Sequence, residues 1–355
     1  MKIHLVGGFL GSGKTTAIIQ AVRQVLKQGR RAGVVTNDKG KQLVDTAFFR
    51  SADIPTAEVA GGCFRCNFDE LEKQIDLLKQ DARPDVIFAE SVGSCADMAA
   101  TVLEPLLRLQ TKQDQPTSFS VFADARLLRL WLLEEDLPFS DEVVYIFEKQ
   151  IEESGLLVIN KIDLLSNDQV AQVKTLVQQR FPEKELILQN SLTVEGVQSW
   201  LNWLQDWQGA VALPKTDIDY DKYDAGSRQL AWLDEAITIY AQDALAATRQ
   251  MIVSLLQSLR KDQIPIGHLK FFLTWEGGNC KLSFPALSDE SWGEQLSGVS
   301  IGKVEILVNG RAQIAPANLN RMIATALDEM ALVSSALYQR NETAFFQPRI
   351  MQRRV

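Results

Sequence analysis

Residues 8–15 read Gly-Phe-Leu-Gly-Ser-Gly-Lys-Thr, a stretch that fits the phosphate-binding loop pattern Gly-x-x-x-x-Gly-Lys-[Ser/Thr]. A short apolar run precedes it and a helical pattern follows it. The glycines let backbone N–H groups wrap a phosphate, and the start of the helix adds partial positive charge. We expect Lys14 to reach the β- and γ-phosphates and the Thr15 hydroxyl to bind Mg²⁺. The residues expected to contact the nucleotide here are Gly8, Gly11, Ser12, Gly13, Lys14, Thr15 and Thr16.

On both sides of this loop in the sequence, short apolar runs alternate with longer helical patterns through the first two hundred residues. The runs cover residues 3–6, 32–36, 86–89, 119–123, 156–159 and 186–188. Such alternation is typical of a mostly parallel sheet with helices on both faces. We therefore expect an α/β phosphate-loop domain over residues 1–208.

The pattern changes near residue 208. Residues 209–225 hold Gly209, Pro214 and three Asp before Asp224, which is typical of a linker. The rest of the chain, residues 226–355, shows both helical and alternating patterns, so we expect a smaller α+β domain there. Its expected elements are a long helix over 230–259, hairpin strands at 269–275 and 282–284, a strand at 304–308 and a helix over about 318–337.

The amino-acid composition excludes several classes of protein function. With 355 residues, 46% of them hydrophobic, the chain has ordinary globular proportions and is long enough for two domains. A formal net charge of −8 argues against a nucleic-acid partner, and 4 cysteines are too few for a disulfide scaffold. No apolar run reaches the roughly 18 residues of a membrane helix. A signal peptide is not expected either, because the functional loop begins by Gly7. We expect a cytoplasmic protein with reduced thiols and no membrane partner.

Residues 160–163 read Asn-Lys-Ile-Asp and follow the apolar run 156–159. At the carboxyl end of a strand, Asp163 is expected to accept hydrogen bonds from N1–H and the N2 amine of guanine, a pattern that adenine lacks. Asn160 and the stem of Lys161 would position and cover the ring. Alternatively, Asp163 caps the following helix, which is compatible with guanine binding.

Glu90 ends the apolar run 86–89 and is followed by Ser91-Val92-Gly93. This pattern is that of a Walker B strand with Glu in place of the more frequent Asp. Glu90 is then expected to contact Mg²⁺, directly or through water, and the N–H of Gly93 to contact the γ-phosphate. The alternative is a charged residue that merely ends a strand.

Together these residues resemble the CobW/HypB/UreG group of GTPases, and most closely its CobW-like branch. The matching motifs are Gly8 to Thr16, Asn37-Asp38-Lys39-Gly40 followed by Asp45, Gly61-Gly62-Cys63, Glu90 to Gly93, and Asn160 to Asp163. The resemblance covers about the first 200 residues. It implies a GTP- and GDP-binding protein that delivers a metal, or a metal-bearing cofactor, to a client protein. It also implies that Asn37 to Asp45 belong to the first switch segment.

The sequence departs from the family in its thiol motif. The family pattern is Cys-x-Cys-Cys, whereas this chain has Cys63-Phe64-Arg65-Cys66 and only two histidines in all. Two thiols at this spacing can bind Zn²⁺ or Co²⁺ if further donors complete the site. The candidate donors are Cys95, Glu58, Asp38 and the same loop of a second protomer in a homodimer. A redox-active pair and a loop of packed thiols are the alternatives, and Arg65 would favour thiolate but repel a cation.

The hypothesis from sequence is a GTPase in which water attacks the γ-phosphate while Lys14 and Mg²⁺ stabilise the developing charge, with slow turnover unless a partner assists. The catalytic candidates are Lys14, Asp38, Asp45 and Glu90. One rival is a GTPase chaperone for a corrinoid or other cofactor-dependent enzyme that carries no metal. Another rival is a nucleotide-sensing regulator without turnover.

Overall fold

The computed structural model describes residues 1–38, 40, 43–109, 117–207, 209, 216–287, 291–296 and 301–348. The chain divides into two compact units, one of Met1–Lys39 and Phe49–Gly226, the other of Gly40–Phe48 and Ser227–Val355. The second unit thus includes a short segment from the region that we assigned to the first domain. In the expected linker, residues 210–215 lie outside the described residues, whereas a helix begins at Tyr220.

The first unit contains a sheet of seven strands in the order β3-β2-β4-β1-β5-β6-β7, with every neighbouring pair parallel. The strands β1 to β7 are Lys2–Gly8, Ala32–Asn37, Thr56–Val59, Val86–Glu90, Ser118–Asp124, Leu156–Asn160 and Glu185–Gln189. The predicted α/β fold with a parallel sheet is confirmed, and each of the six predicted runs forms a strand. The short β3 was not predicted.

Helices connect these strands because a parallel pair needs a long crossover. The helices α1 to α9 are Lys14–Lys27, Val44–Ser51, Phe68–Asp81, Glu104–Leu109, Ala125–Leu132, Asp141–Glu152, Asn167–Arg180, Gln198–Asp206 and Tyr220–Gln229. Strands β4 and β6 are buried at every position, as expected for strands covered on both faces. The carboxyl ends of β1, β4, β5 and β6, which are neighbours, lie along one edge of the sheet, where ligands bind in such folds.

The second unit contains an antiparallel sheet in the order β10-β9-β11-β8-β12. Its strands β8 to β12 are Ala231–Tyr240, Ile266–Trp275, Gly278–Pro285, Lys303–Ala312 and Leu337–Phe346. Helices α10 (Ala244–Lys261) and α11 (Pro316–Ser334) pack on the apolar side chains of one sheet face. The predicted hairpin is confirmed, since Trp275 pairs with Gly278 across the turn.

The predicted long helix over 230–259 is wrong in its first half. Residues Ala231–Tyr240 form strand β8, and the helix begins only at Ala244. Leu233, Ile237 and Ile239 are buried in the core, and their positions also satisfy the two-residue period of a strand. The β-branched residues in this stretch favour the strand, because side chains branched at Cβ pack well on a pleated surface.

Among the described residues, no helix has both the length and the apolar character needed to cross a bilayer.

Candidate nucleotide site

The phosphate loop lies between β1, which ends at Gly8, and α1, which begins at Lys14. Lys14 is buried, and its Nζ donates hydrogen bonds to the carbonyl oxygens of Gly8 at 2.7 Å and Phe9 at 3.1 Å. The ammonium group therefore lies across the loop. Ser12 and Thr15 are also buried, whereas Gly11 and Thr16 are half-buried. This arrangement places a positive charge inside a loop of backbone amides, which is suited to bind phosphate.

Thr15 and Glu90 are in contact with each other. Thr15 lies in the first turn of α1, which follows β1, and Glu90 ends the neighbouring strand β4, opposite Val6 of β1. Thr15 Oγ1 donates a hydrogen bond to Glu90 Oε1 at 2.8 Å. Both side chains are buried. A hydroxyl and a carboxylate are hard oxygen donors of the kind that Mg²⁺ prefers, so this pair fits the expected magnesium ion.

Gly93 brings the segment after β4 against the phosphate loop. A Cβ atom at this position would lie 2.8 Å from Leu10 Cδ2 and 3.0 Å from Leu10 N, so only glycine allows this approach. From α6, Gln150 Nε2 donates to the carbonyl oxygens of Gly93 at 3.2 Å and Cys95 at 2.6 Å. The segment that carries the expected γ-phosphate contact is therefore held from both sides.

Asn160 connects three loops at the edge of the sheet. Its Nδ2 donates to the carbonyl oxygen of Ser12 at 2.8 Å, and its Oδ1 accepts from Ser191 N at 3.1 Å and Ser191 Oγ at 2.7 Å. The contact of Ser191 with Asn160 was not predicted from the sequence. The available signal was its position just after the apolar run 186–188, at the same edge as Asn160.

Lys161 adopts a left-handed backbone conformation, and its Nζ donates to Asp124 Oδ2 at 2.9 Å. Asp124 ends β5 and also accepts from Arg126 Nη2 at 2.8 Å. Burial alone would raise the pKa of Asp124, but Arg126 and Lys161 hold it below its usual value. Burial lowers the pKa of Lys161. Asp124 was not identified from sequence, although it stands at a strand end, as Glu90 does.

Asp163 lies in a single 3₁₀ turn, Ile162–Leu164, and is exposed. It does not cap α7, which is the alternative raised from sequence. Ser166 caps that helix, because its hydroxyl accepts from Gln169 N while Gln169 Oε1 accepts from Ser166 N. The Asp163 carboxylate is therefore accessible to solvent.

Asn37, the last residue of β2, organises residues 61–66, the thiol loop. Asn37 Nδ2 donates to the carbonyl oxygens of Val59 at 2.9 Å and Gly62 at 2.6 Å, and its Oδ1 accepts from Phe64 N at 2.9 Å. The next residue, Asp38, is half-buried, and its backbone N–H donates to the carbonyl oxygen of Val59 at 3.3 Å. Lys39 lies outside the described residues. Asn37, which ends β2, is therefore a structural link to the Gly61-Gly62-Cys63 segment.

The thiols are not assembled into a metal site among the described residues. No group of three or more His, Cys, Asp or Glu there is arranged to hold a metal ion, so Cys63, Cys66 and Cys95 do not form the expected ligand set. Cys63 and Cys95 are buried, and Cys66 is half-buried. The nearby cationic group is Arg65, whose guanidinium lies 4.7 Å from the centroid of the Tyr220 ring and 4.0 Å from Asp97 Oδ2.

Asp45, a catalytic candidate from sequence, lies in the second unit. Its Oδ2 accepts from Lys270 Nζ at 2.5 Å, and its Oδ1 accepts from Lys281 Nζ at 2.7 Å. Burial would raise the pKa of Asp45, but the two lysines hold it well below its usual value. Its neighbours in this unit are therefore cationic side chains of β9 and β10.

Comparison with known proteins agrees with this geometry. The family model described as CobW/HypB/UreG, nucleotide-binding domain, matches residues 2–188, which is more than half of the chain. The chain belongs to the CobW/HypB/UreG family. The matched region includes the phosphate loop, Glu90 and the Asn160 to Asp163 motif.

Several curated relatives are similar over this region. The zinc chaperone CobW of Sinorhizobium sp is 25% identical over 205 residues, covering 52% of this chain and 57% of that protein. The zinc chaperone YeiR of Escherichia coli strain K12 is 25% identical over 202 residues, covering 55% and 57%. The hydrogenase maturation factor HypB of the same strain is 26% identical over 205 residues, covering 55% and 59%. The chain thus spans little more than half the length of these relatives.

Two solved structures show weaker similarity. HypB from Helicobacter pylori in complex with nickel is 18% identical, with 59% of this chain and 91% of that chain covered and a TM-score of 0.42. The Zn(II)-bound YjiA GTPase from E. coli is 13% identical, with 92% and 98% covered and a TM-score of 0.35. Similarity at these TM-scores carries no functional argument.

Proposed function

We propose that this protein binds GTP with Mg²⁺, hydrolyses it to GDP and phosphate, and uses the cycle to mature a client metalloprotein or cofactor enzyme in the cytoplasm. The observation that carries the proposal is the hydrogen bond from Asn160 Nδ2 to the Ser12 carbonyl oxygen at 2.8 Å. It joins the guanine motif directly to the phosphate loop. The base and the phosphates of one nucleotide would therefore be bound by a single connected structure.

The residues have distinct tasks in this proposal. Lys14 and the loop amides bind the β- and γ-phosphates, and Thr15 and Glu90 hold Mg²⁺. When bound, the ion neutralises negative charge that develops on the phosphate oxygens. Asp163 accepts the hydrogen bonds of guanine, and Asp124 holds Lys161 in place at 2.9 Å. Asp38 remains the candidate to orient water, because Asp45 is engaged by two lysines.

Metal carriage is the part of the proposal that depends on relatives. Several relatives are named zinc chaperones, which favours Zn²⁺ or Co²⁺ as cargo at Cys63 and Cys66. The described residues form no three-donor site, and in this proposal the further ligands come from the client or from a second protomer. The guanidinium of Arg65 in this region disfavours a cation bound by this chain alone.

A second candidate function is a GTPase chaperone that checks cofactor loading without carrying metal. The contacts of Arg65 favour this candidate. Its guanidinium pairs with Asp97, and the hydroxyl of Tyr220 donates to the same carboxylate oxygen at 2.6 Å. These contacts link the thiol loop to the segment after Glu90 through protein side chains.

Titration of the reduced protein with Co²⁺ distinguishes the two candidates. Thiolate ligation of Co²⁺ gives a charge-transfer absorption band, and we expect its intensity to differ between GDP and a non-hydrolysable GTP analogue if the protein carries metal. Cys63→Ser and Cys66→Ser should each abolish the band, whereas Cys280→Ser, in the other unit, should leave it unchanged. The absence of a thiolate band in both nucleotide states would contradict a metal site completed by a second protomer and favour the cofactor-checking GTPase.

A further inference from the structure

A row of polar side chains crosses the sheet of the second unit. Asn309 of β11 lies opposite Asp234 of β8 on one side and opposite Lys270 of β9 on the other. Asn309 Nδ2 donates to Asp234 Oδ1 at 2.8 Å, and both residues are almost fully buried. Because neighbouring positions such as Val308 and Leu269 face the core under α10 and α11, the row lies on the opposite face. Buried polar groups need partners, so something must cover this row.

The covering segment is Gly40 together with residues 43–48. The backbone N–H of Val44 donates to Asn309 Oδ1 at 2.9 Å, and the Asp45 carboxylate accepts from Lys270 at 2.5 Å and Lys281 at 2.7 Å. The three charged side chains are largely buried, with exposed fractions of 19% for Asp45, 14% for Lys270 and 10% for Lys281. Asn309, Lys270 and Lys281 of the sheet face thus each have a polar partner in the segment.

The two ends of the segment also fit this face closely. A Cβ atom on Gly40 would lie 1.7 Å from Asp234 Oδ2, so only glycine can approach the carboxylate in this way. At the other end, the Phe48 ring meets Phe272 edge-on at 6.3 Å between centroids. Lys281 Nζ lies 4.6 Å from the centroid of the Phe48 ring. The described part of the segment is therefore held on this face by polar, ionic and aromatic contacts.

We propose that this sheet face, formed by Asp234, Lys270, Lys281 and Asn309, is a receptor for the first switch segment and makes the C-terminal unit responsive to the bound nucleotide. The proposal rests on the proposed function, because it requires a nucleotide that displaces the switch. Asp38, in the first unit, and Val44 are six positions apart, and each residue spans at most about 3.6 Å of extended chain. A connection of this length limits how far Asp38 can be displaced before the contacts of Val44 and Asp45 are disturbed.

The coupling between nucleotide binding and docking of the segment must be reciprocal. If one nucleotide favours the docked segment, then the docked segment must favour that nucleotide by the same factor. Weakening the receptor face should therefore change the ratio of the GDP and GTP dissociation constants, even though the altered residue belongs to the C-terminal unit. A coupling of this kind is typically about fivefold or more.

The test compares Lys281→Met with Lys303→Met in the full chain. Lys281→Met keeps a one-to-one pair between Asp45 and Lys270, so no buried charge loses its only partner. Lys303→Met is the matched control, because Lys303 is exposed on β11 and pairs with Glu305 at 2.8 Å, away from the segment. Calorimetry with GDP and a non-hydrolysable GTP analogue gives the ratio of dissociation constants for each protein.

We expect Lys281→Met to change this ratio by about fivefold or more and Lys303→Met to leave it within about twofold. Hydrogen exchange should also show that amides of 44–48 and β9 differ in protection between the two nucleotides in the parent and differ less in Lys281→Met. An unchanged ratio and unchanged exchange in a variant that still binds nucleotide would overturn the receptor proposal alone. Failure of the parent to bind either nucleotide would overturn the proposed function, and the receptor proposal with it.

Discussion

Thr15 Oγ1 and Glu90 Oε1 are joined by a 2.8 Å hydrogen bond between the start of α1 and the end of β4. The sequence separates these residues by 75 positions, but β1 and β4 are adjacent in the parallel sheet. Two oxygen donors that were predicted independently as magnesium ligands are therefore already neighbours. This pair gives the most direct structural basis for a metal-dependent phosphate chemistry in the first unit.

The first prediction concerns Glu90. We expect Glu90→Gln to weaken Mg²⁺-dependent GTP hydrolysis by about a hundredfold, because an amide oxygen lacks the charge that holds the ion and stabilises the transition state. Phosphate release measured against Mg²⁺ concentration should show a higher requirement for the ion. Asp76→Asn, on the exposed side of α3, is the control and should match the parent. A Glu90→Gln protein with the parental Mg²⁺ dependence would contradict the assignment.

Base selectivity depends on Asp163. We expect the parent to bind GTP and GDP at least about tenfold more tightly than the adenine nucleotides, because mispaired polar groups cost more than 1 kcal/mol. Asp163→Asn should weaken GTP binding and improve binding of xanthosine triphosphate. Calorimetry measures both, with Asp168→Asn in the first turn of α7 as the control. Equal affinity of the parent for ATP and GTP would show that the motif does not select guanine.

Asp124 is predicted to matter for both stability and nucleotide binding. Asp124→Ala would leave Lys161 and Arg126 without a buried counter-charge, and breaking such a pair costs about 3 kcal/mol. Urea denaturation should show this loss, and GDP should bind less tightly because Lys161 is no longer held in place. In contrast, Asp85→Ala breaks an exposed pair with Arg31 and should cost less than about 1 kcal/mol. Similar losses in the two variants would contradict the role of Asp124.

The buried carboxyl of Glu153 should make the free energy of unfolding depend on pH. Burial raises the pKa of its carboxyl to about 8, although the backbone N–H of Ala99 donates to it at 3.2 Å. Between the ordinary value near 4.5 and pH 8, the folded protein therefore holds one proton more than the unfolded chain. The free energy of unfolding should fall as pH rises through this range, by up to about 1.4 kcal/mol per pH unit.

Glu153→Gln removes this difference in bound protons between the folded protein and the unfolded chain. We expect its free energy of unfolding, relative to the parent, to increase steadily from pH 5 to about pH 8 and then to level off. Urea denaturation at several pH values measures the difference. A constant difference across this range would mean that Glu153 is ionised in the folded protein.

Much of the fold and of the candidate site in the first unit could be predicted from local sequence patterns. The phosphate loop, Glu90 and the Asn160 motif each directly follow an apolar run, and the parallel fold gathers such strand ends at one edge. Ser191 and Asp124 follow the same geometry but belong to no distinctive pattern. They were therefore missed, although their hydrogen bonds hold Asn160 and Lys161 in place.

The second unit was harder to predict for two physical reasons. The stretch 231–240 has apolar residues at spacings that suit either a helix or a strand, and its antiparallel pairing with β11 and β12 decides in favour of the strand. Asp45 was interpreted through its place in the switch motif, whereas its partners lie 225 and 236 positions away. Contacts at such separations depend on tertiary packing and leave no local pattern.

In the proposed function, GTP hydrolysis depends most directly on Lys14. Its ammonium group lies 2.7 Å from the Gly8 carbonyl oxygen in the phosphate loop. The decisive measurement is phosphate release from GTP and from ATP, with Mg²⁺, by the parent and by Lys14→Ala. We expect the parent to hydrolyse GTP slowly and in preference to ATP, and Lys14→Ala to remain folded but to show no turnover, because it lacks the charge that stabilises the transition state. Hydrolysis of GTP by Lys14→Ala at the parental rate would contradict the account, since the activity would then arise elsewhere.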